Sequence, residues 1–248
     1  MKAFVIGAGG VGSWLVPSLI RLIGSRNICV VDGDTLEEKN LDRQLYTQQH
    51  IGVNKALALS RLYGCDCRQN YFSMGRFTIQ REDILIACVD NHPARRAALN
   101  ECDARGCSAL FAANETHSAE AYFYKPQWRG TPLDPRVYFP ELLTGNDGDP
   151  LAEAIGCTGE AQEQNRQLVS ANFLAAGLVQ HLFVLWCLEA PHLDRDTLPF
   201  LPFRLVANMT KMESFRVKDA LSERTENDRN QNAGGTVTSV AAAEEVPA

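Results

Sequence analysis

A glycine-rich hexapeptide near the N-terminus is the first feature of this sequence that could do chemistry. Residues 7–12 read GAGGVG and satisfy the pattern G-x-G-x-x-G, with Gly7, Gly9, Gly10 and Gly12 as its glycines. Glycines permit a tight turn and let backbone N–H groups approach a phosphate, and a helix that starts there adds the positive end of its dipole. The hexapeptide therefore predicts a nucleotide-binding loop; the alternative is a tight turn that merely packs.

An acidic residue follows the glycine loop at a distance that has meaning for nucleotide binding. Asp32 lies 20 residues past Gly12 and ends an apolar segment. In dinucleotide-binding folds, an acid at this spacing hydrogen-bonds a ribose hydroxyl. Taken alone, the loop and Asp32 are as compatible with NAD as with ATP.

The segment after Asp32 separates these two ligands. It carries polar and charged residues in a definite order: Asp34, Asn40, Arg43, Gln44 and Lys55. Two neighbouring cations suit a triphosphate, because they neutralise its charge and stabilise the transition state of transfer. Each residue alone is explained as well by a solvated surface. Their joint order favours ATP, with Arg43 and Lys55 as catalytic residues.

Asp90 is the candidate metal ligand and a third candidate catalytic residue. It follows the apolar run DILIACV at residues 83–89, so it lies where a strand would end beside the nucleotide. A carboxylate at this point could hold Mg²⁺ between phosphates. The alternative is that Asp90 caps the following helix. That helix also carries Arg95 and Arg96, which we expect to be surface charges.

The eight cysteines include one candidate nucleophile. Cys157 sits beside a predicted helix start, where a thiolate is favoured, and could accept an activated acyl group as a thioester. The alternative is a buried structural residue. Cys65 and Cys67 are too close together for an ordinary zinc site and no CxxC pair exists, so we expect no zinc. Because Met1 leads directly into an apolar strand, we expect no signal peptide, reduced thiols and a cytoplasmic protein.

These candidate residues need elements that bring separate strand ends together. Apolar segments at residues 2–7 and 27–32 flank the glycine loop and a helix from about Ser13 to Ile23, which Gly24 closes. This order of strand, loop, helix and strand is typical of the first part of a doubly wound sheet. Further predicted elements continue the series: a helix to about Arg105, and strands at residues 83–89, 107–113 and 119–125.

The predicted domain organisation follows from a change in composition after residue 125. Residues 1–125 form the ATP-binding Rossmann-like core and residues 126–160, rich in Pro, Gly, Asp and Asn, a crossover loop or lid. Residues 161–218 complete the same domain with a helix from near Gln162 and a hairpin at residues 203–217. Residues 219–248 are expected to be a disordered tail. The predicted fold class is α/β, a Rossmann-like, doubly wound, mostly parallel sheet with a C-terminal antiparallel extension.

Composition and charge argue against two classes of partner. The formal net charge is −6 and the basic residues are scattered, so nucleic acid is not the expected partner. Residues 168–188 are long enough to span a bilayer, but Asn172, Gln180 and His181 interrupt them and no basic flanks orient them. We therefore expect no membrane span and a helix buried in the core or in a dimer interface.

The order of the motifs resembles a known superfamily. Glycine loop, D-x-D, N-x-x-R-Q, G-x-x-K and an apolar strand ending in V-D-N are similar to the ATP-binding domain shared by ThiF, MoeB, HesA and ubiquitin-activating enzymes. The resemblance covers residues 3–125 and, more loosely, residues 156–217. Within the superfamily, residues 156–167 resemble the ThiF-like proteins of PRTRC systems.

The resemblance implies a role for each motif residue. Asp32 would bind the ribose, Arg43 and Lys55 would bind the phosphates, and Asn40 and Gln44 would support that loop. The aspartate of V-D-N would hold the magnesium. The implied activity is an ATP-dependent adenylyltransferase that activates the C-terminal glycine carboxylate of a small ubiquitin-like (β-grasp) protein and releases pyrophosphate. A thiol or another nucleophile would then take the acyl group. A homodimer is also implied.

Several alternatives to this activity stay open at this point. The activated group could belong to a peptide or a modified tRNA base. The protein could instead be an NAD(P)-dependent oxidoreductase that uses the same glycine loop, or an inactive scaffold. Many members of the superfamily carry a helix before the first strand, and its arginine reaches across the dimer. This sequence begins at the strand, so we expect another residue or a partner to supply that arginine, or the dimer to differ.

Overall fold

The strands define the architecture of the protein. The structure is a computed structural model, and it describes residues 1–114, 118–144, 169–189, 202–208 and 212–216. The strands of this part are β1 (Ala3–Ile6), β2 (Ile28–Val31), β3 (Asp66–Arg68), β4 (Ile84–Ala87), β5 (Ser108–Asn114), β6 (Ser118–Tyr124), β7 (Pro202–Asn208) and β8 (Met212–Arg216).

The helices lie between these strands along the chain. The described α-helices are α1 (Gly10–Ile23), α2 (Lys55–Tyr63), α3 (His92–Arg105), α4 (Pro135–Tyr138), α5 (Glu141–Thr144) and α6 (Val169–Glu189). Short 3₁₀ turns occupy Ser25–Asn27, Glu38–Asn40, Gln48–His50 and Pro126–Trp128.

All the described strands belong to one sheet, in the order β3-β2-β1-β4-β5-β6-β7-β8. Strands β1 to β5 pair in parallel, whereas β5 with β6, β6 with β7 and β7 with β8 pair antiparallel. This arrangement confirms the predicted fold class, including the antiparallel extension. The hairpin expected at residues 203–217 is the pair β7 and β8, in which Ala207 lies opposite Met212.

The position of the crevice follows from the strand order. Strand β1 has β2 on one side and β4 on the other, with Ala3 beside both Ile28 and Ile84. All residues of β1, β2 and β4 are buried, as continuous apolar strands are in a parallel sheet covered on both faces. Because the chain direction across the sheet reverses at β1, ligands are expected outside the carboxyl ends of β1 and β4.

Helix α1 begins earlier than its sequence indicates. We expected a start near Ser13, but the helix starts at Gly10, so Gly10 and Gly12 form its first turn. Glycine is a poor helix former, which is why the glycine run looks like a loop in the sequence. As predicted, Gly24 closes the helix, with φ +81° directly after Ile23.

Helix α6 coincides with the long apolar stretch at residues 168–188. By length and composition, Val169–Leu188 is sufficient to cross a bilayer. Half of this stretch (50%) is buried inside the protein, where α6 packs on α1 and on strands β5 and β6. Its buried residues include one polar side chain, Asn172, which is 0% exposed.

The segment after β6 contains more regular structure than its composition indicates. We expected residues 126–160 to be irregular, but the described part, residues 126–144, contains a 3₁₀ turn and the helices α4 and α5. Buried Arg136 anchors it, since its guanidinium contacts Asp134 at 2.9 Å and Asp103 of α3 at 2.7 Å. Residues 145–168, including the expected helix start near Gln162, and residues 217–248 lie outside the described part of the chain.

Candidate active site

A cavity of about 600 Å³ lies at the carboxyl ends of the parallel strands. Its wall includes Ile6 of β1, Val31 of β2, Cys88 after β4 and Ala112 of β5. Ten of the residues predicted from the sequence also line it: Gly7, Gly9, Gly10, Asp32, Asp34, Asn40, Arg43, Gln44, Lys55 and Asp90. The chain therefore brings these motifs together, although up to 83 residues separate them in sequence (position 90 minus position 7).

Two predicted site residues differ from this group. Gly12 is buried behind the cavity and does not line it. Cys157, the candidate nucleophile, lies outside the described residues. Its role therefore stays a prediction.

Gly7 and Gly12 are needed for packing. Gly7 adopts φ +93°, and a Cβ at this position would lie 2.7 Å from the carbonyl oxygen of Cys88. A Cβ at Gly12 would lie 1.9 Å from the carbonyl oxygen of Gly7. Both glycines let the first turn of α1 approach the ends of β1 and β4, which is the packing role of glycines in this kind of loop.

Gly9 and Gly10 have a different environment. Both line the cavity at the N-terminus of α1. A Cβ at Gly9 would make an ordinary contact at 3.7 Å with the amide nitrogen of Gln44, so the fold itself would accept a side chain there. The helix N-terminus offers backbone N–H groups and the positive end of a dipole, which together suit a phosphate.

Asp32 ties the glycine loop to the end of β2. It is 8% exposed, and its carboxylate accepts hydrogen bonds from the backbone N–H of Ala8 at 2.6 Å and of Asp34 at 2.8 Å. Burial raises the pKa of this carboxyl group, and the two backbone hydrogen bonds oppose that rise. Each carboxylate oxygen can accept a second hydrogen bond, so this arrangement is compatible with a ribose hydroxyl.

Lys55 and Asp34 form an ion pair at the cavity wall. The Lys55 ammonium lies 2.8 Å from the Asp34 carboxylate, which also accepts a hydrogen bond from the Tyr71 hydroxyl at 2.6 Å. Partial burial pushes the pKa of Asp34 upward, but the hydrogen bonds from Lys55 and Tyr71 outweigh it and leave the pKa below its ordinary value. Lys55 is 7% exposed, so its charge is held in place at the cavity.

Two residues that the sequence reasoning missed set the position of Lys55. Asn54 caps helix α2 by accepting the N–H of Leu57, and its amide donates to the carbonyl groups of Asp32 and Asp34, both at 2.9 Å. The Tyr46 hydroxyl donates to the carbonyl oxygen of Ala8 at 2.7 Å and lies 3.3 Å from the carbonyl oxygen of Lys55. An asparagine directly before an amphipathic stretch is a helix N-cap signal, so Asn54 could have been identified from the sequence.

The run from Asn40 to Gln44 forms a turn beside the cavity. The Asn40 side chain accepts the N–H of Glu37 at 3.1 Å, and its carbonyl oxygen accepts the N–H of Gln44 at 3.0 Å. Arg43 lines the cavity, and its guanidinium makes long contacts with the Lys39 carbonyl at 3.4 Å and with Asp42 at 3.5 Å. Gln44 is buried and, within the described part of the chain, its amide oxygen has no hydrogen-bond partner. A buried acceptor beside a cavity suits a bound donor group.

Asp90 lies beyond the end of β4, where it is exposed and lines the cavity. Among the described residues there is no group of three or more His, Cys, Asp or Glu side chains that could hold a metal. Mg²⁺ is commonly held by one or two carboxylates together with phosphate oxygens, so a single aspartate fits a metal that arrives with a nucleotide. The role of Asp90 remains a prediction.

Arg95 corrects one expectation. We expected a surface charge, but Arg95 is 3% exposed. Its guanidinium donates to the carbonyl oxygens of Val89 at 2.9 Å and Ala112 at 2.9 Å, so it joins the ends of β4 and β5 at the cavity wall. Arg96 is half-buried and donates to the carbonyl oxygens of Leu142 at 3.2 Å and Leu143 at 3.1 Å.

A second group of cavity residues had no signal in the sequence. Residues 71–74 line the cavity, and of these Tyr71 is 69% exposed and Met74 is 52% exposed. The buried Glu101 of α3 anchors this segment by accepting the N–H of Gly75 at 2.6 Å. The segment lacks the periodicity of a helix or strand, so sequence patterns do not reveal it.

Residues 1–63 match the ThiF family, and they contain the glycine loop, Asp32, Arg43 and Lys55. The N-terminal region is therefore similar to a ThiF-family domain. Its boundaries include every cavity residue predicted from the sequence except Asp90.

Similar sequences support this assignment over a longer stretch. SUMO-activating enzyme subunit 2 of Dictyostelium discoideum is 48% identical over 115 residues, which cover 41% of this chain and 17% of that protein. The NEDD8-activating enzyme E1 catalytic subunit of Caenorhabditis elegans is 37% identical over 106 residues, which cover 38% of this chain and 24% of that protein. The chain thus spans less than a quarter of the length of these relatives.

Similar solved structures cover more of the chain. PaaA aligns with a TM-score of 0.55 at 17% identity, over 86% of this chain and 62% of PaaA. E. coli MccB, solved with MccA-N7isoASN, aligns with a TM-score of 0.57 at 16% identity, over 87% of this chain and 63% of MccB. These likenesses show that the fold continues beyond the ThiF match.

Proposed function

We propose that this protein is an ATP-dependent adenylyltransferase that activates a carboxylate. The proposal rests on one observation: the glycine loop at the N-terminus of α1 lines the same cavity as Arg43, Lys55 and Asp90. Two cations and a helix N-terminus suit the charge of a triphosphate, and an exposed carboxylate beside them suits its metal. The ThiF-family match and the two activating-enzyme relatives support the same activity.

The chemistry of this step assigns a task to each group. A carboxylate oxygen of the substrate attacks the α-phosphorus, the bond between the α-phosphorus and its bridging oxygen breaks, and pyrophosphate leaves with that electron pair. Negative charge grows on the leaving group, so Arg43 and Lys55 are expected to stabilise it. Mg²⁺ would neutralise phosphate charge where Asp90 can hold it.

The Lys55 ion pair with Asp34 fits this task. Nζ of Lys55 is held at 2.8 Å by a carboxylate whose other oxygen accepts the Tyr71 hydroxyl. Such a pair fixes the position of the ammonium group before a phosphate arrives, and a fixed cation costs less reorganisation during the reaction. Asp34 is therefore proposed as the residue that positions Lys55.

The finer part of the proposal concerns the substrate and the assembly. We propose that the carboxylate is the C-terminus of a small ubiquitin-like protein, because two relatives are named as SUMO- and NEDD8-activating enzymes. A homodimer, a cytoplasmic location, residues 126–160 as a lid and a later thioester on Cys157 belong to the same proposal.

Direct binding measurements separate ATP from the dinucleotide alternative. We expect the purified chain to bind ATP in the presence of Mg²⁺ by isothermal titration calorimetry, and to bind NAD⁺ and NADP⁺ far more weakly. Preferential binding of a dinucleotide would overturn the proposal.

An arginine pair tests whether the predicted cation is involved. Arg43→Ala is expected to weaken ATP binding roughly tenfold, the size of a charge-assisted hydrogen bond. Arg61→Ala is the matched control, because Arg61 is exposed on α2 and does not line the cavity. Equal ATP affinities of these two variants would exclude Arg43 from the site.

A further inference from the structure

Asn172 is a polar residue at a buried position of helix α6, where an apolar residue would be usual. It lies in the first turns of α6 and is 0% exposed, with Ala171, Ala175 and Ala176 buried around it in the same helix. A buried amide is costly unless its donor and acceptor groups are both used. The partners of Asn172 therefore indicate what it does.

Both ends of the Asn172 amide contact the cavity region. Its nitrogen donates to the carbonyl oxygen of Arg43 at 3.1 Å, and its oxygen accepts from the Asn114 amide at 2.7 Å. A Cβ at Gly10 would lie 2.6 Å from the Asn172 amide nitrogen, so this side chain also accounts for a glycine at the start of α1. One residue of α6 thus contacts the glycine loop, the Arg43 turn and the end of β5.

The Arg43 peptide is held from a second helix as well. The indole N–H of Trp14 in α1 donates to the same Arg43 carbonyl oxygen at 3.2 Å. A carbonyl oxygen has two lone pairs, so the two donors can bind it together. Ser13 holds the next part of the turn by accepting the N–H of Leu45 at 3.0 Å. The Arg43 side chain therefore starts from a backbone that α1 and α6 fix jointly.

We propose that Asn172 is a positioning residue for nucleotide binding: with Trp14, it fixes the backbone of Arg43 so that the guanidinium group faces the phosphates. The inference rests on the proposed function, because it requires ATP in the cavity. Without this anchor, the Arg43 turn would have to be ordered when ATP binds, and that cost would weaken binding. The cost would fall on phosphate recognition and would leave recognition of the nucleoside unchanged.

The test compares ATP with adenosine, which lacks the groups that Arg43 is expected to bind. We expect Asn172→Ala and Trp14→Phe each to weaken ATP binding about fivefold, equivalent to one hydrogen bond of about 1 kcal/mol. Adenosine affinity, measured by NMR titration, is expected to stay unchanged in both variants. In an Arg43→Ala background, neither change is expected to weaken ATP binding further, since the group being positioned is gone.

Controls separate positioning from a general loss of stability. Gln180→Ala removes another polar side chain from α6, eight residues beyond Asn172, and is expected to leave both affinities unchanged. If Asn172→Ala does not fold, Trp14→Phe alone decides the question. Equal weakening of ATP and adenosine, or full additivity with Arg43→Ala, would overturn the inference. A wild-type protein that does not bind ATP would overturn the proposed function as well.

Discussion

The charged residues of the parallel half and those of the antiparallel half are used differently. At the ends of β1, β2 and β4, Arg43 and Asp90 face a cavity, and the buried amide oxygen of Gln44 has no partner among the described residues. Around β6 and β7, the charges are close to opposite charges. Arg136 contacts Asp103 at 2.7 Å, and Arg204 contacts Glu120 at 2.7 Å.

This difference indicates which charges serve stability and which serve a ligand. A buried ion pair satisfies its own electrostatic needs, and losing one partner leaves the other buried and uncompensated. Arg43 and Asp90 line the cavity, where a ligand can reach them. These charged residues therefore predict opposite outcomes. Changing Arg136 should alter stability, and changing Arg43 or Asp90 should alter binding and catalysis.

Arg136→Met is the largest expected effect, and it should appear in stability alone. The change removes the cation that lies closest to Asp103 and leaves the carboxylate of buried Asp134 without it, and breaking such a buried pair typically costs about 3–5 kcal/mol. Urea unfolding monitored by circular dichroism measures the loss. Arg129→Ala is the matched control: the Arg129 side chain is 67% exposed and lies 3.4 Å from the same Asp103, so about 0.2–1 kcal/mol is expected. Similar losses in the two variants would contradict the comparison.

Asp90→Ala is the strongest expected effect on catalysis. If Asp90 holds the metal, the adenylylation rate should fall at least about 100-fold, as it does when a charge-stabilising group is removed from an active site. Asp90 is exposed, so the free energy of unfolding should change little. Glu82→Ala, at the opposite end of β4 and also exposed, is expected to change neither quantity. Normal activity of the Asp90→Ala variant would exclude Asp90 as the metal ligand.

The glycine loop contains both a residue needed for packing, Gly12, and a residue that lines the cavity, Gly9. Gly12→Ala places a Cβ 1.9 Å from the Gly7 carbonyl oxygen and is expected to destabilise the protein by about 1–3 kcal/mol. Gly9→Ala meets an ordinary contact at 3.7 Å, so it should fold normally and weaken ATP binding by obstructing the phosphates. Thermal unfolding and ATP titration of both variants distinguish the two roles. A strongly destabilised Gly9→Ala would show that the loop is structural throughout.

Tyr71→Phe is the smallest expected effect and concerns pH. The hydrogen bond from Tyr71 helps to keep the pKa of Asp34 below its ordinary value of 3.8, so its loss should raise that pKa. The stabilisation from Asp34 is complete above pH 3.8 and is lost as the pH falls through the lowered folded-state pKa. In Tyr71→Phe this loss should be smaller and should be complete at a higher pH. NMR titration of the Asp34 carboxyl carbon measures the shift, and an unchanged titration would exclude the hydrogen bond in solution.

The sequence predicts the parallel half better than the rest, for physical reasons. Buried strands such as β1 and β4 are continuous apolar runs, and the glycine loop sits between a strand and a helix, so local patterns are sufficient. Strand β3 has only three residues, Asp66–Arg68, with its ends exposed, and it was not predicted because its apolar content is too low to form a pattern. Helix α2, Lys55–Tyr63, was also missed, although Asn54 marks its start.

The candidate site follows the same division. Residues carried by motifs, such as Asp32 and Lys55, could be named from spacing. Residues that act by long-range contact could not. Arg95 looks like a surface charge on a helix, and only the approach of β5 shows that its guanidinium binds a buried carbonyl. Asn172 lies 129 residues from Arg43, a contact that no local pattern contains.

Pyrophosphate exchange is the most direct test of whether this protein activates a carboxylate with ATP. The purified chain is incubated with Mg-ATP, labelled pyrophosphate and small β-grasp proteins that end in glycine, and label incorporation into ATP is measured. We expect incorporation that depends on the added carboxylate partner and disappears in Asp90→Ala. Absence of exchange in the wild type with every carboxylate partner, or exchange that persists unchanged in Asp90→Ala, would contradict the proposed adenylyltransferase activity.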